Sequence, residues 1–89
     1  MRPAALRAAR ILHAHGFVHG DLRARNMLSA GGNPDSVMVV DFDWAGHAGA
    51  VRYPADMNME SGIAWHEDAR PGRPILAEHD LHLVARDLA

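Results

Sequence analysis

The sequence predicts an α+β fold that is mainly helical, with one small β-hairpin and long irregular segments. Three observations predict this class. A helix-periodic segment opens the chain, two short apolar runs flank a turn-rich loop, and glycines and prolines interrupt most of residues 44–77. With 89 residues the chain is expected to form one domain, over residues 1–89, with a small core.

The first helix is predicted over residues 3–15. Pro3 suits a first helical turn, where its missing N–H costs nothing, and Gly16 is a suitable stop. Helical spacing predicts an apolar face formed by Ala4, Ala8, Ile11, Leu12 and His15.

A second helix is predicted from residue 78 to residue 88, after the irregular stretch. Its apolar face is expected to hold Leu81, Val84 and Leu88. Because only about three turns of this helix are present, we expect exposed apolar surface at Leu83, Val84 and Leu88.

The hairpin is predicted from two short strands, residues 26–28 and 37–40, joined by a loop rich in Gly, Asn and Pro. Asn26 stands at the start of the first strand, and Asp41 follows the end of the second. Antiparallel pairing would bring these two ends to the same edge of the hairpin. A metal ion could then be shared between them.

Composition excludes several classes of function. The net charge of −2 and the pI of about 6.3 give no reason to expect a nucleic-acid or membrane partner. The longest apolar run, residues 37–40, is too short for a membrane span or a secretory signal, so we expect a cytoplasmic or nuclear protein. There is no cysteine, and His13 and His15 do not share a helix face, so zinc is not expected.

Asp21, Asn26 and Asp41 form a pattern that suits phosphoryl transfer. The first aspartate can accept the proton of an attacking hydroxyl, and the asparagine oxygen and later aspartate can hold magnesium on the phosphates. The alternative interpretation is a turn aspartate and a strand-capping asparagine. The position of Asp41 after an apolar run favours the chemical interpretation.

The same residues resemble a known superfamily. Residues 19–26, His-Gly-Asp-Leu-Arg-Ala-Arg-Asn, and residues 41–43, Asp-Phe-Asp, resemble the H-R-D-x-x-x-x-N and D-F-G motifs of protein kinases. The His-Gly-Asp form also resembles aminoglycoside and choline kinases. Residues 41–46, 51–54 and 78–81 look like the kinase-like family expanded in filamentous basidiomycete fungi. The likeness covers residues 6–86 and implies a partial large lobe.

The resemblance implies an ATP- and Mg²⁺-dependent phosphotransferase acting on Ser or Thr hydroxyls. Asp21 would be the catalytic base, His19 a supporting residue of the catalytic loop, and Arg23 a group near the transferred phosphate. Asn26 and Asp41 would bind Mg²⁺ and, through it, the nucleotide. Asp80 looks like the buried aspartate that holds the loop backbone.

Two departures from the kinase motifs are Gly20 and Asp43. Asp43 replaces a hinge glycine and is interpreted as structural, a surface or turn residue, with an extra metal ligand as the alternative. The chain has no lysine and no Gly-rich loop, so we expect the ATP-gripping small lobe to be missing or supplied by a partner chain. The alternatives to a protein kinase are a small-molecule kinase and a non-catalytic remnant or scaffold.

Overall fold

The computed structural model describes residues 2–33 and 36–88. Its elements, in chain order, are α1 (Arg2–Ala14), β1 (Phe17–Val18), β2 (Met27–Ser29), β3 (Val37–Val39), β4 (Gly46–His47) and α2 (Ala77–Asp87). These described residues form two helices and two small antiparallel sheets, so the predicted α+β class is confirmed. Residues 34 and 35 of the predicted loop lie outside the described residues.

The predicted architecture, mainly helical with one small hairpin and long irregular segments, lacks a second sheet that the structure contains. The two helices contain 13 and 11 residues, and most of the described chain between them is turns and irregular structure. A second sheet pairs β1 with β4, with Phe17 opposite His47 and Val18 opposite Gly46. Strands of two residues are too short to show alternation in the sequence, so only the folded chain reveals them.

The predicted apolar face of α1 is partly wrong. Ala4 is buried as expected, but Ile11 is 63% exposed, and Ala5 and Ala9 are buried although the prediction left them out. Ala5 and Ala9 pack in one cluster with Val84 of α2. The large side chains therefore misled the prediction, because in this helix the smallest residues form the buried face.

Helix α2 begins one residue earlier than predicted, and on its predicted apolar face Val84 and Leu88 are covered whereas Leu81 is exposed. Leu83, Val84 and Leu88 are 1%, 0% and 5% exposed, which contradicts the expected exposed surface. Helix α1 packs over Val84 and Leu88, and the guanidinium of Arg2 donates to the Leu88 carbonyl over 2.7 Å. Neither described helix is long and apolar enough to cross a membrane.

The hairpin is confirmed, with strands β2 and β3 in the register Met27 opposite Val39 and Ser29 opposite Val37. Just beyond this ladder, the N–H of Val40 donates to the carbonyl of Asn26 over 2.9 Å. Asn26 and the residue after Val40, which is Asp41, therefore lie at the same edge of the hairpin, as expected.

The long segment between β4 and α2 is irregular but held at both ends. The N–H of Tyr53 donates to the Arg73 carbonyl over 3.0 Å, and the N–H of Ile75 donates to the Val51 carbonyl over 2.9 Å. The segment encloses a second core, which consists of Val18, Tyr53, Met57, Ala69 and Ile75. The loop at residues 19–26 runs between the two cores, since Val18 belongs to this one and Leu22 to the core under α1.

Candidate functional site

The carboxylate of Asp80, in the first turns of α2, holds the start of the loop at residues 19–26. Asp80 is fully buried. One of its oxygens accepts the N–H of His19 and the other accepts the N–H of Gly20, each over 2.9 Å. The His13 Nε2 lies 2.9 Å from the carboxylate as well. One side chain of α2 therefore fixes the loop backbone and the end of α1.

The His19 imidazole joins this loop to the end of β3. Its Nδ1 accepts the N–H of Asp21 over 3.1 Å, which places the ring hydrogen on Nε2. That Nε2–H lies 2.9 Å from the carbonyl oxygen of Val40, to which it donates. Because Val40 directly precedes Asp41, a buried histidine connects the backbones that carry the two aspartates.

Asn26 is 4% exposed and ends a single 3₁₀ turn. Its Nδ2 donates to the backbone carbonyl of Asp21 over 2.8 Å. An amide side chain offers donors on nitrogen and an acceptor on oxygen. Because the nitrogen donates to Asp21, Oδ1 is the atom of this side chain that can bind a metal ion.

The structure places Arg23 on the carboxylate of Asp21 as a bidentate ion pair. The Arg23 Nε and Nη2 lie 2.5 Å and 3.2 Å from the two carboxylate oxygens. The guanidinium carbon also lies 5.4 Å from the centre of the Trp65 ring, at cation–π distance. Both oxygens of Asp21 thus accept a hydrogen bond from Arg23, and each keeps a second lone pair that can accept a proton.

Asp41 is exposed and has a left-handed backbone, with φ of 60°. Such a conformation costs a non-glycine residue about 1–3 kcal/mol and is found preferentially at functional sites. Its Oδ1 lies 3.4 Å from the N–H of Asp43, a long contact that leaves the carboxylate facing solvent. Asp43 also has an exposed side chain, and in this contact it contributes its backbone.

The backbone conformation at Gly20 explains why a glycine, rather than the arginine of the kinase motif, stands at this position. Its φ is +92°, and an added Cβ would lie 3.0 Å from Ile75 Cδ1 and 3.3 Å from Trp44 Cβ. We expect Gly20→Ala to lower the free energy of unfolding by about 1–3 kcal/mol, measured by urea denaturation. Gly62→Ala is the control, because a Cβ at Gly62 meets nothing within 4 Å. Equal urea midpoints for the two variants would contradict this explanation.

A group that the sequence interpretation missed lies on the other side of α2. His66, Asp68 and His79 each offer one ligand atom, and these atoms all lie within 4.8 Å of one another. Burial lowers the pKa of the His79 imidazole, and the neighbouring His66 lowers it further. The sequence signal was weak, because His66 and His79 are 13 positions apart and only the fold of the irregular segment joins them.

Tyr53 is in direct contact with His79. Its hydroxyl lies 2.9 Å from His79 Nδ1. Burial raises the pKa of the Tyr53 phenol well above its usual value, and the charges of Asp80 and Asp21 raise it further. The Tyr53 phenol is therefore neutral at neutral pH. The side chain is part of the second core, and Trp44 and Trp65 pack against that core.

Of the three residues Asp21, Asn26 and Asp41, the first two are buried and Asp41 is exposed, and the described residues enclose no pocket around them. No protein-family model matches the sequence. The case for a function therefore depends on the geometry of these side chains and on the resemblance of residues 19–26 and 41–43.

Proposed function

We propose that this chain is the large-lobe part of a protein-kinase-like phosphotransferase, which moves the γ-phosphoryl group of ATP to a Ser or Thr hydroxyl. The observation that carries the proposal is the Asn26 hydrogen bond to the Asp21 carbonyl, formed at the hairpin edge that also ends in Asp41. It couples the proposed base to one proposed metal ligand and leaves that ligand's oxygen available.

The residues at this edge suit a hard cation. Asn26 Oδ1 and the Asp41 carboxylate are oxygen donors, the type that Mg²⁺ prefers. Asn26 is fixed by its buried amide, and Asp41 is fixed by its left-handed backbone at the end of β3. These two side chains would hold Mg²⁺, which supplies charge neutralisation on the nucleotide phosphates when bound.

Asp21 and Arg23 suit the transfer itself. The acceptor hydroxyl gives its proton to Asp21 as its oxygen bonds to the γ-phosphorus, and the bond from phosphorus to the ADP oxygen breaks. A guanidinium matches phosphate oxygens as well as it matches a carboxylate. Arg23 can therefore exchange one Asp21 oxygen for a phosphate oxygen when the substrate arrives.

The 89 residues contain no lysine for the α- and β-phosphates. We propose that a small lobe, on this polypeptide or on a partner chain, supplies the missing contacts to ATP. The 89-residue chain alone is then expected to show no phosphoryl transfer. Transfer that is lost in Asp21→Asn would contradict this part of the proposal.

Magnesium-dependent nucleotide binding tests the proposal directly. We expect weak binding of ATP to the 89-residue chain in the presence of Mg²⁺, detected by calorimetry, and its loss in Asp41→Ala, because a metal ligand is removed. Asp56→Ala is the matched control, since Asp56 is also exposed and lies outside the hairpin edge.

Replacing Mg²⁺ with Mn²⁺ locates the metal. Paramagnetic Mn²⁺ is expected to broaden the NMR signals of Asn26 and Asp41 first, and the Asp41→Ala variant is expected to abolish that broadening. Binding that is equal in Asp41→Ala and Asp56→Ala, or no binding by the wild-type chain, would contradict the proposed magnesium site.

A small-molecule hydroxyl acceptor is the second candidate. The His19-Gly20-Asp21 form favours it. Residues 52–54, which resemble a protein-kinase substrate region, favour a protein acceptor instead. Once a small lobe is supplied, transfer to a Ser/Thr peptide but not to an amino alcohol would decide for the protein acceptor.

A further inference from the structure

We propose that His66, Asp68 and His79 form a site for a transition-metal dication such as Zn²⁺, separate from the magnesium edge of the proposed phosphotransferase. The three side chains join the turn that begins at His66 to the first turn of α2. Each offers one ligand atom, and all three atoms lie within 4.8 Å of one another. Two imidazoles and one carboxylate, with a position left for water, are a donor set that zinc uses.

The unpartnered nitrogen of His79 is the observation that points to a ligand. His79 is 1% exposed, and its Nε2 is buried with no hydrogen-bond partner among the described residues. Leaving a buried polar atom without a partner costs free energy. A metal ion at this nitrogen would remove that cost once the ring hydrogen has moved from Nε2 to Nδ1.

Both imidazoles must exchange hydrogen-bond partners for this role, because without metal His79 Nδ1 accepts the N–H of Leu76 over 3.3 Å and His66 Nδ1 accepts the N–H of Asp68 over 3.1 Å. To bind a metal through Nε2, the neutral ring must carry its hydrogen on Nδ1. The Tyr53 hydroxyl lies 2.9 Å from Nδ1 and can accept that hydrogen. Metal-binding histidines are usually oriented in this way by a hydrogen bond from the second ring nitrogen.

His66 and Asp68 supply the solvent side of the site. The N–H of Ala69 donates to the His66 carbonyl over 2.9 Å, which closes the turn that carries both residues. The centre of the His66 ring lies 4.7 Å from that of His79. His66 is half-buried and Asp68 is exposed, so an ion can enter from water and keep a water molecule as its fourth ligand.

The distances require a small closure on binding. Two ligand atoms on tetrahedral zinc are about 3.4 Å apart, given zinc–nitrogen bonds of about 2.0–2.1 Å. The exposed turn can supply that movement, whereas His79 is fixed by Tyr53. His82, one turn further along α2, has its ring 5.2 Å from the His66 ring and lies beside the site rather than in it.

The choice of metal follows from the ligands. Imidazole nitrogen favours zinc, nickel and copper, whereas magnesium and calcium favour oxygen ligands. Burial and the nearby His66 lower the pKa of His79, so the ring is neutral and able to coordinate at neutral pH. Because His79 directly precedes Asp80, a bound metal would also stabilise the part of α2 that holds the loop at residues 19–26.

Zinc titration of the tag-free chain, followed by calorimetry, tests the site. We expect His66→Ala and Asp68→Ala to weaken Zn²⁺ binding at least ten-fold, because each loses one of three protein ligands. Both substitutions are on the solvent side of the turn, so the variants are expected to fold. His15→Ala is the matched control, since His15 is exposed and lies at the end of α1.

Cobalt and thermal unfolding supply two further measurements. Bound Co²⁺ is expected to give the visible absorption of a tetrahedral site in the wild-type chain and to lose it in His66→Ala. Added Zn²⁺ is expected to raise the melting temperature of the wild-type chain and of His15→Ala, but not of His66→Ala. Zinc binding that is equal in all three proteins, or absent from the wild-type chain, would overturn the proposal and leave the histidines as packing residues.

The two proposed sites can fail independently. Magnesium-ATP binding is expected to be unchanged in His66→Ala, and zinc binding is expected to be unchanged in Asp41→Ala. Loss of zinc binding in Asp41→Ala would overturn the assignment to His66, Asp68 and His79.

Discussion

Replacement of Asp80 by alanine is expected to lower the free energy of unfolding by about 2–6 kcal/mol, or about 1–3 kcal/mol for each of two buried backbone donors that lose their acceptor. The carboxylate is fully buried and accepts the N–H groups of His19 and Gly20. Without it, two backbone donors are buried without an acceptor. A domain of this size has about 4–13 kcal/mol in total, so Asp80→Ala is expected to be largely unfolded or close to it.

Asp87→Ala is the control for this prediction. Asp87 lies on the same helix and its carboxylate also accepts a backbone N–H, that of Ala24, over 2.6 Å, but at an exposed position. We expect a loss of about 1 kcal/mol or less there. Urea denaturation measures both variants, and amide hydrogen exchange at His19 and Gly20 reports the loop directly. A loss in Asp80→Ala no larger than that in Asp87→Ala would show that the carboxylate does not hold the loop.

Tyr53→Ala is the second substitution with a large expected effect. The side chain is 2% exposed in the core of the irregular segment, and its ring centre lies 6.0 Å from that of Trp44 and 6.2 Å from that of Trp65. Removing a buried aromatic ring costs about 3–5 kcal/mol. Because both tryptophans pack against it, tryptophan fluorescence during urea denaturation follows the loss.

Tyr53→Phe separates the ring from the hydroxyl. It keeps the packing and removes only the hydrogen bond to His79, so we expect a loss of about 0.5–1.5 kcal/mol. If Tyr53→Phe were as unstable as Tyr53→Ala, the hydroxyl rather than the ring would hold this core together. The same variant is expected to weaken zinc binding, because the His79 ring would lose the hydroxyl group that orients its Nδ1 atom.

The hairpin could be predicted because its signal is local. Two apolar runs and a loop rich in glycine, with proline, determine the strands, and antiparallel pairing then places Asn26 and Asp41 at one edge. The second sheet could not be predicted, because two-residue strands depend on contacts made far along the chain. The buried face of α1 was hidden for a different reason, since Ala5 and Ala9 carry little hydrophobic signal but allow α2 to approach closely.

Some residues of the two candidate sites could likewise be predicted from the sequence, and others could not. The order of Asp21, Asn26 and Asp41 along the chain is visible in the sequence, so their roles could be proposed before the fold was known. The ion pair of Arg23 with Asp21 could not be foreseen, because an arginine two positions away has many possible partners. The meeting of His66 with His79 depends on how residues 51–75 fold back onto α2, and no short-range pattern encodes that path.

The bonds from Arg2 to the far end of the chain have a topological consequence. Its guanidinium donates to the carbonyls of Ala85 and Leu88, more than 80 positions away. The first residue of α1 is therefore bonded directly to the end of α2. Gly31 and Gly32 are exposed and belong to neither core, so a proteolytic cut there is expected to leave the two helices joined by these bonds.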